Sequence, residues 1–216
     1  MNIILFGLPG AGKGTQADKL AKDLNLFKVS TGDLLRNEIN KKTTLGDKIK
    51  LLIDKGNFVS DDIINHLIIN ILSNKTLANC LIFDGYPRNI NQAQSLDRML
   101  AKYKQKILCV LCLKVEKEVV LKRILGRQVC SNCGLIFNKF FNPSNKNNHK
   151  CKSQYLKTRS DDTESTIIKR LNTYLKETFP LINYYQKQDL LKEVEGSGQI
   201  DQIYKEIRYI IKSLGT

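Results

Sequence analysis

Gly7-Leu8-Pro9-Gly10-Ala11-Gly12-Lys13-Gly14-Thr15 decides the fold, because of what stands on either side of it. Before it, Ile3-Ile4-Leu5-Phe6 is a short, wholly apolar run that reads as a buried parallel strand. After it, Ala17, Leu20, Ala21 and Leu24 recur at helical spacing. A strand, a glycine-rich loop carrying a lysine, and a helix, in that order, form a cradle for phosphate groups. The glycines let backbone N–H groups turn inward, the helix N-terminus adds its positive dipole end, and Lys13 reaches the outer phosphates. Gly10, Ala11, Gly12, Lys13, Gly14 and Thr15 are the candidate phosphate ligands. Gly14 stands where a Ser or Thr usually follows the lysine, and Thr15 comes next.

Working outward, Leu81-Ile82-Phe83 and Ile107 to Leu113 are two further buried strands, and Leu190 to Val194 reads as a late one. Amphipathic helices separate them. One is capped by Ser60-Asp61-Asp62 and runs through Leu67, Ile68 and Ile71; others cover Glu116 to Leu125 and Ile200 to Leu214. Strands alternating with helices predict an α/β fold around a parallel sheet. Two segments break the rhythm: residues 30–59, helical but polar, and residues 126–162, rich in Asn, Lys, Cys and turns. Both read as insertions, leaving 1–29, 60–125 and 163–216 as the core. Ligands of open α/β sheets bind at the carboxyl ends of strands, where insertions can cover them. Asp84 ends one apolar strand, the place from which a carboxylate holds Mg²⁺ directly or through water.

The 216 residues are 42% hydrophobic and 26% charged, enough to bury a core and stay soluble. No apolar run approaches the roughly 18 residues of a membrane span. The chain starts without a basic leader and runs straight into the first strand, so the expectation is a cytoplasmic enzyme with no membrane contact. The net charge of +14 admits nucleic acid, nucleotide phosphates, or simply lysines on solvated helix faces, as at Lys41-Lys42 and Lys102-Tyr103-Lys104. Of six cysteines, Cys80, Cys109 and Cys112 lie in apolar runs and read as small core residues, whereas Cys130, Cys133 and Cys151 lie in a polar stretch.

The phosphate loop, Ser30-Thr31-Gly32-Asp33-Leu34-Leu35-Arg36, Asp84-Gly85-Tyr86-Pro87-Arg88 and Arg159-Ser160-Asp161-Asp162 together resemble adenylate kinase, in order and spacing over essentially the whole chain. The insertion at 126–162 resembles the long bacterial lid in its zinc-carrying version. The resemblance implies a P-loop nucleoside monophosphate kinase fold with two mobile subdomains, a monophosphate-binding one at 30–59 and a lid at 126–162. It implies a monomer acting on ATP, AMP and ADP with Mg²⁺, and no nucleic-acid partner.

A monophosphate is already anionic near neutral pH, its second pKa being about 6, so no general base is needed. The difficulty is to bring two polyanions together and exclude water, which calls for positioning and spread-out positive charge. The resemblance assigns Arg36 and Arg88 to the AMP phosphate and Arg123 and Arg127 to the triphosphate. Arg159 and Arg170 would close around the transferred group and on AMP. Arg123 and Arg127 are four apart at a helix end, so one shared face is expected. Arg159 precedes two aspartates, which are expected to hold its planar fork. For the bases, the resemblance implies Thr31, Asn57, Phe58, Val59, Gly85, Tyr86, Pro87 and Gln92 on the AMP side. It implies Ile136, Phe137 and Gly198 on the ATP side. Gln92 donates and accepts at once, which suits an adenine edge.

Cys130-Ser131-Asn132-Cys133-Gly134 is half of a zinc knuckle. The second half reads His149-Lys150-Cys151-Lys152-Ser153-Gln154, without the family's usual second pair. A lid of roughly 35 residues is too small to hold together by burial alone, so a metal staple makes physical sense. The expected ligands are Cys130, Cys133, Cys151 and His149, with Gln154 or a water as the alternative to the histidine, and three free thiols as the alternative to the metal. Two other functions remain open from the sequence. A basic nucleic-acid-binding protein would use the knuckle and the aromatics Phe137, Phe140 and Phe141, but would leave the phosphate loop unexplained. A UMP/CMP or GMP kinase would generally have a shorter lid.

Overall fold

The computed structural model describes residues 1–54 and 59–215. The chain begins β1 (Asn2–Gly7), α1 (Lys13–Asp23), β2 (Phe27–Ser30), α2 (Thr31–Asn40), α3 (Thr44–Asp54) and α4 (Asp61–Leu72). It continues through β3 (Leu81–Asp84), α5 (Ile90–Lys102), β4 (Ile107–Lys114) and α6 (Lys117–Leu125). Three short strands follow, β5 (Arg127–Cys130), β6 (Ile136–Asn138) and β7 (Leu156–Lys157). The chain closes with α7 (Glu164–Thr173), α8 (Pro180–Gln186), β8 (Leu191–Glu195) and α9 (Ile200–Ser213).

The apolar runs pair as expected into one parallel sheet of order β2-β3-β1-β4-β8. β1 is central, with Ile4 opposite Phe83 on one side and Val110 on the other. Its successive side chains leave by opposite faces, which is why the run is apolar throughout. Ile4 and Phe6 enter the core beneath α4 and α5, with Ile68, Leu96 and Tyr185. Ile3 and Leu5 enter the core beneath α1 and α9, with Leu20, Ile203 and Ile207. A third cluster, Val120, Ile124, Ile167 and Leu171, joins α6 to α7 beside Leu8 of the phosphate loop.

Three local features differ from the sequence reading. β2 is a sheet strand that the apolar pattern did not mark: at the sheet edge it exposes Phe27 and buries only Val29 and Ser30. Ser60 occupies the N-cap of α4 but makes no side-chain capping bond, and Asp61 beside it instead accepts from Gln92 at 2.6 Å. Between α7 and α8 the helix widens into a π turn, Tyr174–Thr178, which directs Thr178 Oγ1 onto the Arg88 carbonyl at 2.7 Å. Cys109 and Cys112 are buried in β4, and Cys80 is half-buried.

Residues 30–59 contribute α2 and α3. The 126–162 segment folds as a separate three-stranded antiparallel sheet of order β6-β5-β7. No helix among the described residues is long and apolar enough to cross a membrane. Leu111 lies fully buried at the centre of β4. Leu111→Ala should cost about 2–5 kcal/mol in urea unfolding, whereas Leu51→Ala on the exposed face of α3 should cost less than about 0.5 kcal/mol.

Candidate active site

The turn from β1 into α1 brings the loop backbone to the carboxyl edge of the sheet. Gly10 and Gly12 have φ of 87° and 99°, and a Cβ on Gly10 would meet Ile124 Cγ1 at 2.5 Å, so glycine is required there by both conformation and space. Lys13 Nζ donates to the loop's own carbonyls, Gly7 O at 2.8 Å and Leu8 O at 3.0 Å. Burial lowers its pKa to about 8, against the pull of Asp84 and with help from Arg88 and Arg170. Asp84, at the end of β3, places Oδ2 3.3 Å from where a Cβ on Gly14 would stand, so the carboxylate lies close against the start of α1. The Asp84 carboxylate has no hydrogen bond among the described residues.

The loop forms the floor of a cleft of about 540 Å³. Arg36, Arg88, Arg123, Arg127, Arg159 and Arg170 all line it, with Asp84, Gly85, Pro87, Val59, Ile136, Phe137 and Gly198. The arginines come from α2, the loop after β3, α6, the start of β5, the lid return and α7, so the sheet and both insertions must be in place for them to meet. Their proton affinities register the crowding. Burial, then repulsion by Arg170, brings Arg88 down to about 10. Burial, then Arg127 and Arg36, brings Arg159 down to about 10.

Two sequence expectations about these arginines are corrected. Arg123 and Arg127 do not share a helix face: Gly126 ends α6, and Arg127 opens β5. Arg123 Nη1 bridges the Ala11 carbonyl at 3.1 Å and the Gly196 carbonyl at 2.9 Å, tying the phosphate loop to the 196–198 loop. Asp161 and Asp162 do not hold Arg159. Asp162, its side chain fully buried, takes both Nε (2.8 Å) and Nη2 of Arg127, and Asp161 accepts from Arg170 Nη1 at 2.8 Å. The Arg159 guanidinium has no hydrogen bond among the described residues.

On the monophosphate side, Thr31, Tyr86 and Gln92 line a small separate cavity shared with Val59, Gly85 and Arg88, not the main cleft. The Gln92 amide is engaged at both ends, accepting from Arg88 N at 2.7 Å and donating to Asp61. Tyr86 is fully buried and donates to Asn65 at 2.9 Å. Asn57 and Phe58 lie outside the described residues. The sequence reading missed Phe140 and Phe141 as cleft residues. They line the cleft, Phe141 under Arg123 at 5.6 Å. Their signal was present, an aromatic pair in a basic segment, but it pointed equally to nucleic acid.

The family model for adenylate kinase matches residues 5–190. The chain belongs to the adenylate kinase family. Among its relatives, the adenylate kinase of Pelagibacter ubique (strain HTCC1062) is 44% identical over 98% of this chain and 100% of its own length. That of Ruminiclostridium cellulolyticum is 42% identical over the whole of both chains. That of Nitrosococcus oceani is 40% identical over 99% of each. Membership makes the protein a phosphotransferase of the nucleoside monophosphate kinases, with the α/β fold described above.

The cysteines of the 126–162 segment form a cluster with a histidine. One ligand atom each of Cys130, Cys133, His149 and Cys151 lies within 4.8 Å of the others. The N–H groups of the turn bring Cys130 and Cys133 together, Gly134 N donating to Cys130 O at 2.9 Å. Burial pushes the Cys130 thiol up, but donors from Cys133, Asn132 and His149 bring it down to about 6. His149 is buried; its Nδ1 meets Ser144 Oγ at 3.0 Å, which leaves Nε2 for the Cys130 thiol.

The lowered Lys13 pKa has a measurable sign. Above about pH 8 the free protein has largely lost that proton, and phosphate oxygens nearby restore it. Binding of a non-hydrolysable ATP analogue at about pH 9 should therefore take up a proton, and much less at about pH 7. Calorimetry in buffers of different ionisation enthalpy reads the uptake, and Lys13→Met should abolish the difference.

Proposed function

We propose that this chain transfers a phosphoryl group reversibly from ATP to AMP, giving two ADP. The observation that carries the reading is the convergence of Lys13 and six arginines, from five elements and two loops, on one cleft floored by the phosphate loop. An AMP phosphate oxygen attacks the γ-phosphorus in line, and the bond to the ADP oxygen breaks on the far side. Arg36 and Arg88 hold the acceptor phosphate. Lys13, Arg123 and Arg127 hold the triphosphate, with Ala11, Gly12, Gly14 and Thr15 offering backbone groups. Arg159 and Arg170 face the transferred group, where charge spreads over the equatorial oxygens. Arg127 and Arg170 are pre-set by their aspartates, so little ordering remains to be done on binding. Asp84, an oxygen ligand beside Gly14, fits Mg²⁺, which when bound with ATP neutralises phosphate charge.

Residues 30–59 and 126–162 close over the substrates in this reading, because an open cleft would let water take the phosphoryl group. The end of α3 already meets the lid return: Ser160 Oγ donates to Asp54 Oδ1 at 3.1 Å. The four-residue cluster fits a structural zinc. Three thiols and one imidazole nitrogen form an ordinary tetrahedral donor set, and the buried Nε2 of His149 lacks any other partner. Bound there, zinc supplies a crosslink within the lid and takes no part in phosphoryl transfer.

In a coupled assay with AMP, CMP, UMP and GMP, AMP should be the preferred acceptor, and a preference for UMP or CMP would overturn the assignment. Lys13→Ala should lose about 3–4 kcal/mol of barrier lowering, some 10²–10³-fold in kcat, with near-native thermal stability. A bisubstrate analogue joining two adenosines through phosphates should protect both covering segments from proteolysis together. Protection of one alone would contradict joint closure.

A further inference from the structure

His149 touches two things at once. One of its ring nitrogens belongs to the thiol cluster, Nε2 because Ser144 Oγ occupies Nδ1, and its ring packs on Phe137, centroid to centroid 4.7 Å, at 57°. Phe137 is buried in β6 and lines the nucleotide cleft between Ile136 and Asn138. The ring is fixed from the third side by Ser144 Oγ on Nδ1 and by a tight turn in which His149 N donates to Asn145 O at 2.9 Å. With zinc on Nε2 the ring would be held at both nitrogens, which sets its orientation and that of an aromatic face packed against it. Asn132 Nδ2 donates to Cys151 Sγ at 3.3 Å, which steadies the far side of the cluster. β6 in turn is held by only three pairs to β5, so backbone pairing alone positions the cleft wall weakly.

We propose that His149 is a positioning residue for the ATP side of the cleft: ligated through Nε2, it presents the ring against which Phe137, and with it the β6 wall, is set. The inference rests on the zinc reading above. A thiolate or carboxylate in the same place would staple the lid equally well but would offer Phe137 no face. The histidine therefore links metal occupancy to nucleotide affinity, where a cysteine would serve stability alone. Because Phe137 belongs to the lid and not to the monophosphate side, the effect falls on ATP and spares AMP.

The experiment compares wild type with His149→Cys and His149→Asp, which keep a metal-binding atom and remove the ring. Zinc content is measured by atomic absorption and the two Michaelis constants by steady-state kinetics. Wild type should hold about one zinc per chain, and the variant that retains zinc should raise KM for ATP by about five-fold or more while KM for AMP stays within about two-fold. Wild type without zinc would remove the metal reading, and the inference with it. Zinc retained with an unchanged KM for ATP, or with both constants raised alike, would overturn the inference and leave the zinc reading standing. If neither variant keeps zinc, Phe137→Leu removes the same contact with all four ligands intact. An ATP constant unchanged there would overturn the proposal equally.

Discussion

The burial of a group of cations, with mutual repulsion added to it, is the constraint on which this structure turns. Lys13, Arg88, Arg159 and Arg170 sit close enough, and far enough from water, that each holds its proton less tightly than it would in solution. Such a group of charges does not assemble for its own sake. It must be imposed by a scaffold whose burial outweighs its cost, and it is relieved by a polyanion. The scaffold is the parallel sheet with apolar layers on both faces, and the polyanion is what the phosphate loop is shaped to receive.

The same electrostatics explains where the acidic residues stand. Asp162, with its side chain fully buried, and Asp161 neutralise Arg127 and Arg170 and aim them. Asp84 moderates Lys13 without being spent on a hydrogen bond. Arg159 receives no such partner among the described residues, and burial leaves its charge unusually available to a ligand. Arg127 and Arg170 are thus set by carboxylates and Arg123 by two carbonyls, while the Arg159 guanidinium is left without a hydrogen bond among the described residues, a division that suits a site that must bind phosphates firmly yet exchange them.

The lid has a different physical basis. Its three-stranded sheet is too small to generate a core, and beside it stand the turn at Cys130–Gly134, the polar loop 143–149 and the four-residue cluster. Phe137 connects that cluster to the cleft through His149, and Phe141 packs under Arg123. The cluster and the cleft wall therefore share side chains in the 126–162 segment.

Local chemistry written along the chain was enough for much of this. The apolar runs, the glycine loop and the lysine specify a strand, a phosphate cradle and a helix through short-range rules of burial and backbone freedom. The motif arginines could be named because their motifs resemble those of the family, Cys130 and Cys133 because a CxxC turn brings two thiols together, and His149 and Cys151 from their place in the lid that the resemblance implies. The tertiary structure alone decided the pairings across long separations. Arg127 finds Asp162 from 35 positions away, so the adjacency of Arg159 to two aspartates was misleading. A helix ended at Gly126 by its own cap parts Arg123 from Arg127 despite helical spacing. β2 gains its place from a neighbour's unpaired edge, not from its own four residues. Phe140 and Phe141 point into the cleft because the lid folds over it, and a linear pattern of aromatic and basic residues carries no information about the direction in which it will face.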